Sequence, residues 1–290
     1  MALISLKEIL QDGRAGKYAV PMFDVSNPVM IRIAVEVAEE ENSPVILAAI
    51  EPDLVGNNIH YWAQAAQLAA LRSNIPVAFM VDHAANLELC ARCAEAGFSG
   101  VMIDASSKEF SENARITREV CDLMHRRGVS VEAELGHVGD AQAGEGEGAL
   151  TGDHSAHSVF TEPDKVEEFV ELSRCDALAV SIGTAHGVYR TAPTLNIELL
   201  RQINAISPVP LVLHGGSGTP DDQIRAAIAN GIAKINICSE IMYAWHHTLL
   251  EVLQKAPNLS FWNCTACVEP EKAMREVMRR KIRLFGSNRG

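Results

Sequence analysis

Residues 76–97 read PVAFMVDHAANLELCARCAEAG. Pro76 opens a short apolar run that ends on Asp82-His83, and from Leu87 the apolar residues fall at helical spacing until Gly97 closes the segment. A strand without a wet face, followed at once by an amphipathic helix, is the repeating unit of a parallel sheet covered by helices. The unit recurs in both directions. Upstream stand YAVPMFDV with IRIAVEVAEEE and PVILAAI with WAQAAQLAALR; downstream come GVMIDAS with NARITREVCDLMHRRG and VSVEAELG with KVEEFVELS. ALAVSIG with IELLRQINA, PLVLHGG with DDQIRAAIANG, and AKINIC with EIMYAWHHTLLEVLQ complete the series. Eight pairs in order predict an α/β protein, one closed (β/α)8 barrel of the TIM type, with residues 1–290 forming a single domain. A further helix is expected at about residues 269–285, packing on the barrel or touching another subunit.

A chain of 290 residues, 48% hydrophobic and 21% charged, suits such a barrel. Its formal net charge of -12 argues against nucleic acid or an anionic membrane as a partner. The start, MALISLKEIL, lacks the basic region and cleavable apolar core of a secretory signal, and no apolar stretch is long enough to span a bilayer, so a cytoplasmic protein is expected. Seven cysteines, an odd number, point to reduced thiols rather than a disulfide framework. Cys90-Ala-Arg-Cys93 and Cys264-Thr-Ala-Cys267 have metal-ligand spacing, yet they lie too far apart for a zinc ribbon, and the first pair merely shares a helix face. Both read as buried or partly buried thiols.

Residues just past the strand C-termini build the site of a (β/α)8 barrel. That rule selects Asp24, Asp82, His83, Asp104, Glu134, His186, His214 and Asn236. His83, His186 and His214 follow three separate strands, and imidazoles gathered on one rim are a common way to build a catalytic zinc site with an open position. Adjacent strand residues face opposite sides, so Asp82 and His83 reach one site only if the strand ends there. A glycine-rich acidic stretch, AQAGEGEGALTGDHSAHS, follows the fifth strand and is expected to give a flexible active-site loop over residues 137–162.

The segment His214-Gly-Gly-Ser217-Gly-Thr219-Pro220-Asp221-Asp222 joins strand seven to a helix, with Thr219 expected as N-cap, Pro220 at the first helical position and Asp222 at capping-box spacing. Glycines ahead of a helix start let backbone N–H groups approach an anion. Strand eight ends in Asn236-Ile237-Cys238-Ser239 before another helix, and the loops after strands seven and eight are the usual phosphate site of this fold.

Together, Asp82-His83, Asp104-Ala-Ser106, Glu132-Ala-Glu134-Leu-Gly136, Gly183-Thr-Ala-His186-Gly187, Leu213-His214-Gly215-Gly216-Ser217-Gly218 and Lys234-Ile-Asn236 resemble the zinc-dependent class II fructose- and tagatose-bisphosphate aldolase family. The resemblance runs in order from about Tyr18 to Ser239 and returns at the terminal Lys-Ile-Arg-Leu-Phe-Gly-Ser. It implies an aldolase that cleaves a ketose 1-phosphate or 1,6-bisphosphate to dihydroxyacetone phosphate and an aldehyde. His83, His186 and His214 would bind Zn2+, with Asp104 and Glu134 at a secondary metal position. Asp82 would move the proton of the aldol hydroxyl. Gly187, Gly215, Gly216, Ser217, Asn236, Ile237, Cys238 and Ser239 would hold the phosphate and ketone end, with a monovalent cation (Na+ or K+) near the phosphate. A homodimer or homotetramer is implied.

The family pattern is not kept everywhere. The loop place that usually carries a glutamate base holds Ala141-Gln142, with Glu145 and Glu147 slightly further on as the candidates for that base. At the far end of the substrate, where bisphosphate aldolases hold a second phosphate, a strand-one asparagine becomes Asp24, a small hydroxyl residue becomes Ile50 followed by Glu51, and an expected arginine is absent around Asn263-Cys264-Thr265. An acidic pocket poor in arginine repels a dianion, which favours a ketose 1-phosphate unless Arg275 or Arg279 reaches the site. Two rival readings stand beside the enzyme: a non-catalytic sugar-phosphate-binding barrel that supports a partner aldolase, and a metal-dependent barrel hydrolase, which would want paired histidines on strand one.

Overall fold

A computed structural model of the protein describes residues 3–141 and 158–288. Eight parallel strands close into a barrel in chain order: β1 (Val20–Asp24), β2 (Val45–Ile50), β3 (Val77–Ala84), β4 (Gly100–Ile103), β5 (Ser130–Leu135), β6 (Ala177–Val180), β7 (Leu211–Leu213) and β8 (Ile232–Ile237). The seam pairs Val20 with Lys234 through Phe23 with Ile237. The helices between strands are α2 (Pro28–Glu40), α3 (Asn58–Arg72), α4 (Leu87–Ala96), α5 (Phe110–His125), α6 (Val166–Ser173), α7 (Ile197–Ile206) and α8 (Asp221–Ala229). Helix α1 (Leu6–Gly16) precedes them; α9 (Ser239–Lys255), the short α10 (Asn263–Ala266) and α11 (Val268–Phe285) follow.

The strand period of two sorts the apolar residues into two cores. Phe23, Leu47, Phe79, Val101, Val131, Leu178, Leu213 and Ile235 face outward and pack under the helices. Met22, Ile46, Ala48, Ala78, Met80, Met102, Ala179 and Val212 face the barrel axis. The same alternation, carried two residues further, aims Asp24, Asp82, Asp104 and His214 into the mouth.

Helix α1 plugs the opposite end. Ser5 and Glu8 form a capping box at its start, and Leu6, Ile9 and Leu10 join the axial core. Each of these aliphatic side chains contributes about 1.5–3 kcal/mol by burial. Gly100 is required there, because a Cβ on it would collide with the Leu6 side chain.

Helix α11 matches the expected terminal helix. Met274, Met278, Ile282 and Phe285 form its buried stripe. Its arginines pair with α2: Arg275 with Glu36 and Glu40 at 2.7 and 2.6 Å, and Arg279 with Glu40 at 2.8 Å.

Two expectations need correction. Strand β3 does not stop at Asp82 but runs to Ala84, with a register shift against β4 between Val81 and Ala84. His83 sits at φ 45°, so a bulge, not a strand end, turns two neighbouring side chains into one site. Thr219 is not the N-cap of α8; Pro220 takes that place, and the Thr219 hydroxyl donates instead to the Gly215 carbonyl at 3.0 Å inside the turn. The flanks of the 137–162 loop are pinned: His137 and Val159 exchange backbone hydrogen bonds of 2.8 Å, and Ala141 N–H donates to the His186 carbonyl at 2.8 Å. Glu145 and Glu147 fall within 142–157, outside the described residues.

Candidate active site

His83, His186 and His214 come together at the barrel mouth. Their ring centroids are 4.9, 4.8 and 5.7 Å apart, and one ring nitrogen from each lies within 4.8 Å of the others. All three are buried. Burial first, then the charge of His83, keeps His186 well below the ordinary imidazole range, and burial pushes His214 down to about 3. Neutral imidazoles are the form that binds metal.

The far side of two of these rings fixes which nitrogen carries the proton. His83 Nδ1 lies 2.8 Å from Asp104 Oδ2, and His214 Nε2 lies 3.0 Å from Glu132 Oε1. Carboxylates only accept, so those nitrogens donate. With both rings neutral, the nitrogens that face one another, His83 Nε2 and His214 Nδ1 at 2.9 Å, present lone pairs to each other. A cation between them relieves that repulsion, so the donor set fits a metal.

Glu132 is itself buried at 0% exposure and paired with Lys234 Nζ at 2.8 and 2.7 Å. Asp104 and Glu134 form a second group with His83 that has ligand spacing. Although burial opposes it, hydrogen bonding to His83 and Ser106 holds Asp104 well below the usual carboxylate range. Burial and the Asp104 charge push Glu134 well above it. Glu134 Oε1 accepts from Val138 N–H at 2.8 Å.

Asp82 is 1% exposed, and its Oδ2 accepts from Asn236 Nδ2 at 3.1 Å. Beside it, Asp24, His186, Gly187, Gly215, Ser217, Asn236, Cys238 and Ser239 line a narrow pocket. Gly215, at φ 65°, has no room for a Cβ, which would meet the Ala185 carbonyl, and a Cβ on Gly216 would meet the Ile235 side chain. The loop is stitched to the start of α9: Ser217 Oγ accepts from Cys238 and Glu240 N–H at 3.2 and 3.4 Å, and Gly218 N–H donates to Glu240 Oε1 at 2.7 Å. Ile237 lies in β8 behind the pocket, fully buried.

The sequence reading gave no role to four contributors. Glu132 and Lys234 stand two residues before Glu134 and Asn236, so period-two spacing could have found them. Tyr189 OH, with one proton to donate, lies 2.7 and 3.0 Å from the Ala185 and Gly215 carbonyl oxygens and ties two rim loops together. Glu240 braces the glycine loop against Lys281 of α11 at 2.5 Å. Neither of these had a local signal. Arg275 and Arg279, held as reserve for the far end of the substrate, are occupied on α2. Cys90 and Cys93 are buried thiols, with burial pushing Cys90 up to about 12, while Cys264 is exposed. No cysteine joins a metal-ligand group among the described residues.

The model of the family described as fructose-bisphosphate aldolase class-II matches residues 4–289. The chain belongs to that family. Its similarity extends to the fructose-bisphosphate aldolase of Geobacillus stearothermophilus, 37% identical over 99% of this chain and 98% of that protein. The 6-phospho-5-dehydro-2-deoxy-D-gluconate aldolase of Bacillus subtilis strain 168 is 36% identical over 99% of this chain and 97% of its own length. Among solved structures, the YdjI aldolase from Escherichia coli K12 superposes with a TM-score of 0.85 at 34% identity, covering 99% of this chain and 98% of that one. This class-II aldolase is accordingly an aldehyde-lyase of a family that acts on sugar phosphates, and its described residues include groups able to hold a metal. Among them, no helix is long and apolar enough to cross a membrane.

Proposed function

We propose that the protein is a zinc-dependent aldolase that reversibly cleaves a ketose phosphate to dihydroxyacetone phosphate and an aldehyde. The observation that carries the reading is the convergence of His83, His186 and His214 with Asp82 beside a glycine-built pocket. The three histidines would hold Zn2+, with Asp104 and Glu134 as a secondary position. When bound, zinc supplies electrophilic polarisation of a ketone oxygen.

The chain's own residues supply the rest. The backbone of Gly187, Gly215, Gly216, Ser217, Cys238 and Ser239 cradles the phosphate at the start of α9, which fixes the reacting carbons relative to Asp82. A Na+ or K+ ion beside that phosphate would add charge compensation. Asp82 Oδ2 is held by Asn236, and Oδ1 has no hydrogen-bond partner among the described residues. In cleavage, Oδ1 accepts the hydroxyl proton as the carbon-carbon bond breaks; in condensation it returns that proton. The base at the carbon next to the ketone is assigned to Glu145 or Glu147. The domain is proposed as a single unit, cytoplasmic and working as a homodimer or homotetramer.

The test is condensation of dihydroxyacetone phosphate with a panel of aldehydes, before and after complete zinc chelation. Metal-dependent product formation is expected, restored by zinc. Activity unchanged without metal refutes the zinc assignment, and zinc-loaded protein that binds dihydroxyacetone phosphate without exchanging its ketone-adjacent proton supports the non-catalytic alternative.

A further inference from the structure

A cavity of about 560 Å³ opens on the outer side of the glycine loop, and no step of the reaction above uses it. Its apolar walls come from three places: Val188, Tyr189 and Ala192 on the loop after β6, Tyr243 and Ala244 on α9, and Val277 on α11. A concave space of about 300–1,000 Å³ with mostly apolar walls and a few fixed polar groups is the usual form of a small-molecule site. Both aromatic rings are held in place by the protein. Tyr189 lies against Gly218, and its hydroxyl accepts from Ala185 N–H at 2.8 Å. Tyr243 stacks on His247, with centroids 5.1 Å apart and planes 9° from parallel, yet stays 64% exposed.

The polar edge of the cavity is positive. Among the described residues that line it, only Glu240 and Arg280 are charged, and they pair at 2.6 Å. Glu240 is also held at 2.5 Å by Lys281, whose side chain is 3% exposed, so two cations face one carboxylate. Although burial opposes it, the Gly218 hydrogen bond and these two cations keep Glu240 below the ordinary carboxylate range. Arg280 is the exposed member of the group, and a guanidinium has five N–H donors, more than one carboxylate oxygen uses. In a chain of net charge -12 this is a local place for an anion. The cavity also adjoins the phosphate pocket, since Gly187, Ser217 and Ser239 line both. Anions held on the two sides of that shared wall repel each other.

We propose that the cavity is a second ligand site, which takes a flat aromatic ring bearing one anionic group (carboxylate, sulfonate or phosphate), and that its occupant opposes binding of a phosphate in the cradle. The ring lies against Tyr189 and Tyr243, and the anion is met by Arg280. An uncharged ring would leave the excess cation unmatched, and a small anion alone would leave the apolar walls bare. The site stands on its own geometry; its coupling to the cradle rests on the aldolase reading above.

The test uses the full-length zinc-loaded protein and 8-anilinonaphthalene-1-sulfonate, an aromatic sulfonate that fluoresces in apolar surroundings. Saturable binding to one site is expected. It should be lost in Ala244→Trp, which fills the cavity from α9, and weakened about 10-fold or more in Arg280→Gln, the share of a hydrogen bond to a charged group. Ala192→Trp, on an exposed loop, fills the same space should the α9 variant fold poorly. Calorimetry with saturating probe is expected to show dihydroxyacetone phosphate binding about 5-fold or more weakly, and the probe should weaken by the same factor at saturating sugar phosphate, because coupling between sites is reciprocal. Absence of probe binding, or an affinity unchanged in all three variants, overturns the site. Displacement of the probe without limit as sugar phosphate rises places the probe in the cradle and also overturns it. Independent binding of the two ligands overturns the coupling. Failure of wild type to bind dihydroxyacetone phosphate without probe defeats the aldolase reading instead, and the fluorescence result still decides the site.

Discussion

The ion pair beneath the three mouth histidines gives the sharpest quantitative test. Lys234 Nζ and Glu132 Oε2 are 2.7 Å apart with 0% exposure on both sides. At an effective dielectric constant of about 20, that separation is worth about 6 kcal/mol of attraction. Desolvation costs several kcal/mol per ion, so the intact pair adds little, while removing one partner strands the other and costs about 3–5 kcal/mol. Glu132→Gln strands the Lys234 ammonium, and Lys234→Met strands the carboxylate. The double variant removes both charges and is expected to recover all but about 1–2 kcal/mol of the loss, a coupling readable in a double-mutant cycle. Zinc affinity should follow a different rule, because Glu132 also fixes His214 through the 3.0 Å contact. Both variants lacking Glu132 are expected to bind zinc about 10–100-fold more weakly, even where stability has recovered. Urea denaturation of the metal-free protein and zinc competition with a chromophoric chelator measure the two quantities. The reasoning fails if Glu132→Gln unfolds within about 1 kcal/mol of wild type, or if the double variant is as unstable as the two singles summed.

Further outcomes follow from the same geometry. Asp82→Asn is expected to retain zinc and fold while losing about 10²–10⁴ of kcat, the share that general acid-base catalysis supplies; bound-metal analysis beside steady-state rates checks it. Tyr189→Phe removes the hydroxyl that joins the Ala185 and Gly215 carbonyls, so KM for the phosphorylated substrate should rise more than kcat falls. The metal-free protein should weaken in mild acid, because His186 and His214 stay neutral in the fold below an unfolded pKa of about 6.5. The unfolded chain then binds more protons, and stability falls by about 1.4 kcal/mol per pH unit per histidine from about pH 6.5 downward, for His214 to about 3. Glu134, whose pKa is raised, contributes with the opposite sign above about pH 4.3, so the slope is best measured in Glu134→Gln.

The barrel was legible because its strands are apolar on both faces and its helices are amphipathic, two periods that local sequence records directly. The rim residues followed, since Asp24, Asp104 and His214 stand at or just past the ends of apolar runs. Two kinds of feature were not written locally. The bulge at His83 depends on how β3 meets β4, and a residue at φ 45° that is not glycine leaves no mark in the sequence. Long-range partners were also hidden: Lys234 finds Glu132 across the barrel axis, and Tyr189 finds the β7 turn, only once the barrel has closed. Helix α1 had a readable capping box, Ser5 to Glu8, but its role as a plug depends on the cavity that the eight strands leave at the bottom.

The brace at Glu240 has a consequence for how the molecule is completed. This one carboxylate receives Gly218 N–H from the glycine loop and is itself held by Lys281 and Arg280, near the end of the last helix. The eight strands and the three histidines are all in place before residue 240 is reached, yet the loop beside them is secured only when α11 docks some forty residues later in the chain. The three histidines thus depend on segments that end by residue 214, while the glycine loop beside them also depends on the last helix. A chain shortened before Lys281 would keep the three histidines while losing the clamp that holds the glycine loop in shape.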